Sequence, residues 1–427
     1  MKANYNTRNQ LIYIAESALD YFITILITGA FLASILKNIG VPDSVTGIIT
    51  ALTSFGFSAQ LVSVLFIKPK NNVKKMIVTM NLLNHLMFAV LYLIPYISLS
   101  HKIKIAAFAV MFLGGHLVVN AATPFKYTWF LSYVPIENRG RFYANREIVS
   151  LVGGIFFSYA MGAIIDHYEA IGKSDMGFVA SGIILFSLSV IHFISLLFVI
   201  DDESLNKVEA NNQKHSISHV LKCTLFDKNF CKIIILDIIW HIGTGISVSF
   251  FGSYQVSELG FSLRYVAILS AIHSLSRVVF SRLFGKIADK TSQTRMVMIS
   301  ISVGAVGFLI NSFTMPSNGK WLFAIYYSIY GIYLAGSNSG MTNIVFEYAP
   351  KENHTYAIGV KAALGGIFGF LASLFGAWIV SYVQSNGCSI FGITIYAQQI
   401  LSFASFVIFT FAVIYLKKVV FKIKKIS

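Results

Sequence analysis

The chain has 427 residues, of which 56% are hydrophobic and only 12% are charged, and its mean hydropathy is +0.70. Soluble globular proteins are about 45–50% apolar and about 25% charged. The composition therefore excludes a soluble globular protein and indicates an integral membrane protein. The net charge of +15 would by itself suit a nucleic-acid partner, but the placement of the basic residues, described below, excludes that reading.

Apolar segments predict twelve membrane-spanning helices, since a helix needs about 20 residues to cross the hydrocarbon core. Pro124 lies inside the fourth segment, where we expect it to bend the helix. The predicted spans are 10–37, 44–67, 76–95, 104–131, 146–166, 177–200, 231–256, 262–284, 295–314, 320–346, 357–383 and 391–416.

Lys and Arg alternate between the two sides of these spans. Twenty-five of them, with Lys361 counted in this group, fall on the side of the termini, and six fall on the other side. The positive-inside rule then places both termini and the central loop in the cytoplasm. We expect a multi-pass protein of the cell membrane whose basic surplus faces lipid headgroups and not nucleic acid.

The longest polar interval, 201–229, is the predicted cytoplasmic linker between an N-terminal six-helix bundle, 1–200, and a C-terminal one, 230–427. Short segments recur in order across it. The segment 133–138 recurs at 348–353, 162–165 at 376–379 and 39–40 at 259–260, with offsets of 215, 214 and 220 residues. Three matches in order predict two homologous halves.

The first span carries Glu16 and Asp20 within an apolar run, and Ser17, Thr24 and Thr28 extend their face. Each acid near the middle of a span costs about 2.5–3.5 kcal/mol on insertion scales. Residues four apart share a helical face. We therefore predict that this stripe faces a central aqueous cavity, where a desolvated carboxylate takes up and releases a proton.

The seventh span carries a second candidate proton-coupling pair, Asp237 and His241. Three structural alternatives stay open, one of which is a purely structural role for Asp20. Asp237 and His241 pair with each other within their helix, or Glu16 pairs near the cytoplasmic end with Arg8 or another base. Lys126 and Arg146 are expected to extend their charged heads to the membrane surface.

Polar and aromatic residues at helical spacing in other spans are candidates for contacts with a solute. An alternative for the histidines is a satisfied interior position, for the tyrosines simple packing, and for Arg277 the neutralisation of an acid. In the repeat, Trp240 falls opposite Asp20. The candidate substrate-binding residues are His116, Asn120, Tyr127, Trp240, His273, Arg277, Tyr330 and Asn338.

The segment Gly285 to Lys290, followed by Arg295, resembles the Gly-x-x-x-Asp-(Arg/Lys)…(Arg/Lys) loop of the major facilitator superfamily. In that reading Gly285 lets helices approach, and Asp289 sits at a helix N-terminus and pairs with a base. The matching loop of the first half has Leu65 and Pro69 at these two positions.

Residues 137–141 and the glycine-rich eleventh span resemble the same family. Glu137, Arg139 and Arg141 join Gly285, Asp289 and Arg295 as candidate gating residues. The resemblance implies an all-α fold of two pseudo-symmetric six-helix bundles that works by alternating access as a monomer.

No enzyme motif, cofactor site or metal-binding pattern is found, and three scattered cysteines predict inert thiols. The sequence therefore predicts a proton-coupled secondary transporter of a small solute, with sodium as an alternative ion. One alternative is a proton-driven efflux antiporter for drugs and lipophilic cations. The other is a transporter-like sensor that does not cycle, favoured by the substituted loop of the first half.

Overall fold

The computed structural model describes residues 2–67, 73–131, 133–134, 139–200, 223–350, 354–390 and 392–423. Nearly all of them are helical, and the one sheet among them is a two-stranded antiparallel ladder of Ser389–Ile390 and Ile393–Thr394. The all-α prediction is confirmed.

The helices before the central loop are α1 Lys2–Leu26, α2 Gly29–Ile39, α3 Asp43–Gly56, α4 Ser58–Phe66, α5 Val73–Leu91, α6 His101–Leu131, α7 Arg139–Ala170 and α8 Ser174–Leu197. Those after it are α9 Lys228–Val248, α10 Leu263–Lys290, α11 Gln293–Asn311, α12 Gly319–Asn343, α13 His354–Asn386 and α14 Ala397–Lys418. Short helical turns at Phe251–Ser253, Tyr254–Glu258, Val345–Tyr348 and Val420–Lys422 adjoin α9, α12 and α14.

Every predicted span overlaps a helix or a pair of consecutive helices. Within the described residues, nine helices are long and apolar enough to cross a membrane, and the bent pair α1–α2 makes a tenth. The two that fall short, α5 and α12, carry the polar residues Asn81, Asn84 and His85 and a series of tyrosines. Their hydropathy is low because these helices contribute polar side chains to the interior.

The predicted first span is in fact two helices, α1 and α2, bent by 40° at their junction. Gly29 adopts a positive φ of 55°, which favours glycine. The Thr28 hydroxyl bonds to the carbonyl oxygens of Thr24 and Ile25, and the Thr24 hydroxyl bonds to that of Asp20. The hydroxyls of Thr24 and Thr28 therefore bond to the backbone of their own helix, whereas the Ser17 hydroxyl donates to Glu16 Oε2 at 3.3 Å.

The chain forms two compact units, one of residues 1–40 and 59–214 and one of residues 41–58 and 215–427. Helix α3 thus groups with the second unit, whereas α4 belongs to the first. The predicted linker overlaps residues 201–222, which lie outside the described part of the chain, so the bundle boundaries stay a prediction.

In the first unit, α1 packs against α7 and α8, and α5 packs against α6 and α8. Aromatic side chains fill the core between them; the Tyr13 ring stacks on Phe130 with centroids 4.0 Å apart. This packing fixes α1 at the centre of the unit, where its acids face three other helices.

In the second unit, α9 packs against α13 and α14, α11 against α12 and α14, and α3 against α13. Helices α3 and α13 approach so closely that a Cβ at Gly366 would lie 2.2 Å from the Ser54 carbonyl oxygen. Glycine is therefore required at position 366 for this contact.

Candidate functional site

Two buried clusters of charged side chains lie inside the helical units, one in each. The first, named here the acid–histidine cluster, consists of Glu16, Asp20, His85, Lys126 and His192. These residues come from α1, α5, α6 and α8, so four helices converge on one group of charges.

Glu16 and Asp20 lie four residues apart on α1 and both face Lys126. The Lys126 ammonium is in direct contact with Glu16 Oε1 and stands 3.4 Å from Asp20 Oδ2. It also donates to Asn81 Oδ1 at 3.2 Å. Because two carboxylates attract it, Lys126 points inward with 13% of its side chain exposed, and the prediction that it extends to the membrane surface is wrong.

Arg146 also turns inward, contrary to the prediction. Its guanidinium donates to the Tyr13 hydroxyl at 2.6 Å and lies 5.1 Å from the centre of the Tyr13 ring. The expected alternative for Glu16, a bond to a base, is present, but the base is Lys126 of α6.

Two histidines complete the acid–histidine cluster. His85 Nε2 lies 2.9 Å from Asp20 Oδ1, and His192 Nε2 lies 3.1 Å from Glu16 Oε1. The two rings meet edge to face with centroids 4.4 Å apart. Both rings are buried, and their Nδ1 atoms have no hydrogen-bond partner among the described residues.

Sequence reasoning missed His85, His192 and the inward position of Lys126. A signal was present, because each of them is an ionisable residue inside a predicted span, and such residues are functional candidates by default. Neither histidine has an acid within one helical turn of it in sequence. Only the packing of α5 and α8 against α1 shows what they contact.

The ligand atoms of Asp20, His85 and His192 lie within 4.8 Å of one another. Two imidazoles and a carboxylate suit a divalent transition metal. However, the Lys126 ammonium already stands between the two carboxylates of this cluster. An added dication would be repelled by it, so the donor set fits a metal ion only if Lys126 moves away.

The second cluster consists of Asp237 and His241 on α9 and Lys361 on α13. Asp237 is fully buried, and Lys361 Nζ lies 2.5 Å from its Oδ1. His241 Nδ1 lies 3.2 Å from Asp237 Oδ2 and 2.9 Å from the Asp237 carbonyl oxygen. The alternative in which Asp237 and His241 pair within their helix is thus observed, with Lys361 as a further partner.

Lys361 was counted among the cytoplasmic bases, and this assignment is wrong. The residue is 5% exposed and its ammonium lies inside the second unit. Gly365, one turn further along α13, leaves the space for its partners, since a Cβ there would lie 2.5 Å from both Asp237 Oδ2 and His241 Nδ1.

The candidate substrate residues of the first unit are bound to protein groups. The His116 ring is buried between Phe112 and Phe88, with centroid distances of 4.5 and 5.1 Å. Asn120 donates to the His116 carbonyl oxygen and accepts from Gln60 Nε2, both at 2.8 Å. The side chain of Tyr127 lies outside the described part of the structure.

The candidates of the second unit surround a group of tyrosines on α12. The Tyr330 ring stacks on Tyr326 at 5.5 Å and lies 5.6 Å from the His273 ring. Trp240 Nε1 donates to the Tyr333 hydroxyl. These residues form one aromatic wall, in which Tyr330 and His273 are half-buried.

Arg277 lies one turn after His273 on α10 and is half-buried, whereas Asn338 near the end of α12 is exposed. Asn338 is therefore not part of the aromatic wall. Of the eight candidates, the structure brings together Trp240, His273 and Tyr330, and Arg277 lies close enough to His273 and Tyr330 for its charge to act on both.

The candidate gating residues of the second half lie on the surface. Among the residues that the structure describes, a Cβ at Gly285 would meet nothing within 4 Å, so no close helix approach is seen there. Asp289 and Arg295 are exposed. Glu347, and not Asp289, reaches the N-terminus of α11, where its carboxylate accepts from Gln293 N at 2.9 Å and from the Thr294 hydroxyl at 2.8 Å.

Glu137 lies outside the described residues, and so do the side chains of Arg139 and Arg141. The gating role of these residues stays a prediction.

Comparison with known proteins identifies a family profile and solved structures that match this chain. The family profile described as Major Facilitator Superfamily matches residues 17–373 and 241–425. A search of curated proteins finds no match.

Solved structures with the same fold include the nucleoside transporter NupG, at 15% identity and a TM-score of 0.69, with 97% of this chain and 100% of that chain covered. A D-xylose-proton symporter matches at 13% identity and a TM-score of 0.70, with 96% of each chain covered. A bacterial homologue of the iron transporter ferroportin, in a structure with soaked iron, matches at 12% identity and a TM-score of 0.60, covering 97% and 98%.

The matched residues extend over most of the sequence, and the helices that are long and apolar enough to cross a membrane agree with the fold of these structures. The chain belongs to the Major Facilitator Superfamily and is a multi-pass membrane transporter, not an enzyme.

Proposed function

We propose that the protein moves a small solute across the cell membrane by proton-coupled alternating access, with both termini in the cytoplasm. The observation that carries this proposal is the acid–histidine cluster, which places two carboxylates against one ammonium inside a membrane unit. With neutral imidazoles this group bears one net negative charge. Such a charge is costly in a dry interior, and uptake of one proton removes it.

Access to water supports the coupling role. Asp20 keeps 31% of its side chain exposed, whereas Glu16 is fully buried. A proton can therefore reach Asp20 in the present state. If closure of the transport pathway covers Asp20, the pathway closes at a lower free-energy cost when the cluster is protonated and neutral than when it is deprotonated and charged. This difference links proton movement to alternating access.

The proposed solute class is drawn from the similar structures and from the aromatic wall of the second unit. Two of the similar structures are described as a nucleoside transporter and a D-xylose-proton symporter. The half-buried residues Tyr330 and His273 have ring centroids 5.6 Å apart, and His273 Nε2 has no hydrogen-bond partner among the described residues. We therefore take a neutral polar solute with a ring as the first class to test.

Export of a lipophilic cation is the second candidate, because the partly exposed Asp20 carboxylate would also attract such a molecule.

The test measures uptake of radiolabelled nucleosides, pentoses and hexoses into proteoliposomes with an imposed pH gradient. We expect one of these solutes to accumulate, and accumulation to be lost with a protonophore and in Asp20→Asn. Asp175→Asn, an acid in the first turn of α8, is the matched control and should transport normally. Solute flux that is driven by a sodium gradient, and ignores the pH gradient, contradicts proton coupling. Failure of all three solute classes with active extrusion of a lipophilic cation favours the second candidate.

A further inference from the structure

The helical segment after α9 contains a turn that is wider than an α-helical turn. In residues Tyr254–Glu258 the N–H of Leu259 bonds to the Tyr254 carbonyl oxygen, five residues earlier, at 2.9 Å. This π-helical turn holds one more residue than an α-helical turn, and such turns are rare and often found at functional sites. The contacts of its side chains therefore indicate what the turn does.

One side chain of the π-helical turn is tied to the aromatic wall. Gln255 is buried, with 1% of the residue exposed, and its Nε2 donates to the Tyr327 hydroxyl at 2.8 Å. Tyr327 lies on α12, and its ring centroid is 5.9 Å from that of Tyr326 and 6.2 Å from that of His273. Tyr327 therefore contacts both the wall and the turn.

The last two residues of the turn contact α3 and α13. The Ser257 hydroxyl donates to Asp43 Oδ1 at 2.9 Å. Gln384 Nε2 donates to Asp43 Oδ2 at 2.8 Å and to Glu258 Oε1 at 3.1 Å. These four side chains, named here the Asp43 contact, link the first turn of α3 to the ends of the π-helical turn and of α13, all within the second unit.

The width of the turn decides whether the Asp43 contact forms. If the π-helical turn relaxed to an α-helix, the residues at its end would move by one position, or about 100° around the helix axis. Such a rotation carries Ser257 and Glu258 away from Asp43. Helix α3 is continued by α4, which belongs to the first unit. Loss of the Asp43 contact therefore removes bonds that keep α3 with the second unit.

We propose that Gln255 is a positioning residue that transmits the state of the aromatic wall to α3. Its hydrogen bond to Tyr327 holds the π-helical turn, and the turn holds Ser257 and Glu258 at the Asp43 contact. A solute hydroxyl or N–H group that donates to Tyr327 in place of Gln255 frees the turn, which relaxes and releases α3. The inference rests on the proposed function in treating the aromatic wall as the solute site.

The experiment measures the distance between spin labels at Ser44→Cys on α3 and Ser385→Cys on α13 by pulsed electron paramagnetic resonance, without solute. The three native cysteines are replaced by serine in this background. Gln255→Leu and Tyr327→Phe should each add a longer distance and raise the ratio of long to short distances about threefold to tenfold, the effect of one lost hydrogen bond. Because both changes remove the same bond, the double variant should shift the ratio no further than a single variant.

Two further variants separate this role from a general loss of structure. Tyr265→Phe is the matched control, since it removes a tyrosine hydroxyl that donates to the Lys320 carbonyl oxygen, and it should leave the distances unchanged. Gln384→Leu breaks the Asp43 contact directly and should produce the longer distance. The inference is overturned if Gln255→Leu and Tyr327→Phe give the distances of the unchanged chain, or if their effects add in the double variant.

Uridine and D-xylose are then added as probes. A probe that accumulates in the transport assay should add the longer distance to the unchanged chain and change nothing further in the double variant. An accumulated probe that leaves the distances of the unchanged chain as they were overturns the transmission from the wall to α3. If neither probe accumulates, the proposed solute class fails, whereas the solute-free comparison of variants still decides the role of Gln255.

Discussion

Arg146 and Lys361 lie 215 residues apart, and each extends from its own helix to the acid-bearing helix of its own unit. Arg146 on α7 donates to Tyr13 of α1 at 2.6 Å, and Lys361 on α13 donates to Asp237 of α9 at 2.5 Å. The separation equals that of the sequence repeat 133–138 and 348–353. The two bases therefore occupy corresponding positions of the repeat, whereas their partners, a phenol in one unit and a carboxylate in the other, are 224 residues apart and do not correspond.

The first prediction concerns the ion pair of Lys361 and Asp237. Lys361→Met leaves a fully buried carboxylate with His241 as its remaining partner, and breaking a buried pair costs about 3–5 kcal/mol. We expect a marked fall in the midpoint of thermal unfolding in detergent. Adding Asp237→Asn should recover most of it.

The matched control for this prediction is Lys320→Met, at an exposed lysine, which should change stability by less than about 0.5 kcal/mol. Equal effects at positions 320 and 361 would show that the buried pair contributes little.

The second prediction compares two glycines. A Cβ at Gly365 would lie 2.5 Å from Asp237 Oδ2, whereas a Cβ at Gly285 would meet nothing within 4 Å. Gly365→Ala should destabilise the protein by about 1–3 kcal/mol through overpacking. Gly285→Ala should stabilise it, by up to about 1 kcal/mol, because alanine favours a helix. Thermal unfolding of both variants measures the difference, and a destabilised Gly285→Ala would indicate a helix contact at position 285.

The third prediction concerns the N-terminus of α11. Glu347→Ala removes the acceptor for Gln293 N and the Thr294 hydroxyl, and losing such a cap costs about 0.5–2 kcal/mol. Glu347→Gln keeps an acceptor oxygen and should cost less. Hydrogen exchange of the first turn of α11 should accelerate in Glu347→Ala.

Asp289→Asn is the comparison for this prediction, since Asp289 is the residue that the family resemblance places at a helix N-terminus. We expect little change, because Asp289 is exposed at the end of α10. A loss of protection in Asp289→Asn as large as in Glu347→Ala would restore the predicted role.

The fourth prediction tests Lys126. Lys126→Met leaves Glu16 and Asp20 facing each other without an ammonium, so we expect destabilisation of about 3–5 kcal/mol. Lys126→Arg keeps the charge and should be milder. In Lys126→Met, Glu16→Gln should recover stability because it removes one of the two unpaired carboxylates. No recovery would mean that Lys126 acts through packing and not through its charge.

Several features of the fold followed from the sequence. The apolar runs gave the helices, since a chain in a bilayer must satisfy its backbone within each segment. Glu16, Asp20 and Asp237 stood out for the same reason, because lipid does not tolerate charges and each acid had to face protein or water. The bend after Leu26 did not follow, as neither Thr28 nor Gly29 alone requires a break in an apolar run.

The resemblance to the family was correct for the fold, and the role that it implies for Asp289 stays a prediction. It placed Asp289 at a helix terminus, whereas Glu347 occupies the end of α11. A loop motif specifies residue types at a spacing, but the N–H groups at a helix terminus are satisfied by whichever acceptor the packing brings near them. Glu347 is 53 residues from Thr294 in sequence, so no local pattern could have joined them.

The amino-acid sequence by itself determined that this protein spans a membrane, that its helices fall into two related sets and that acids lie inside two of its spans. Hydrophobicity and short repeats carry this information residue by residue. Only the tertiary structure decided which bases those acids meet. Lys126 and Lys361 lie near span ends in the sequence, where a lysine side chain ordinarily extends to the membrane surface. The packing of α6 against α1 and of α13 against α9 places each lysine beside a buried carboxylate. The attraction between ammonium and carboxylate then holds the side chain inside its unit.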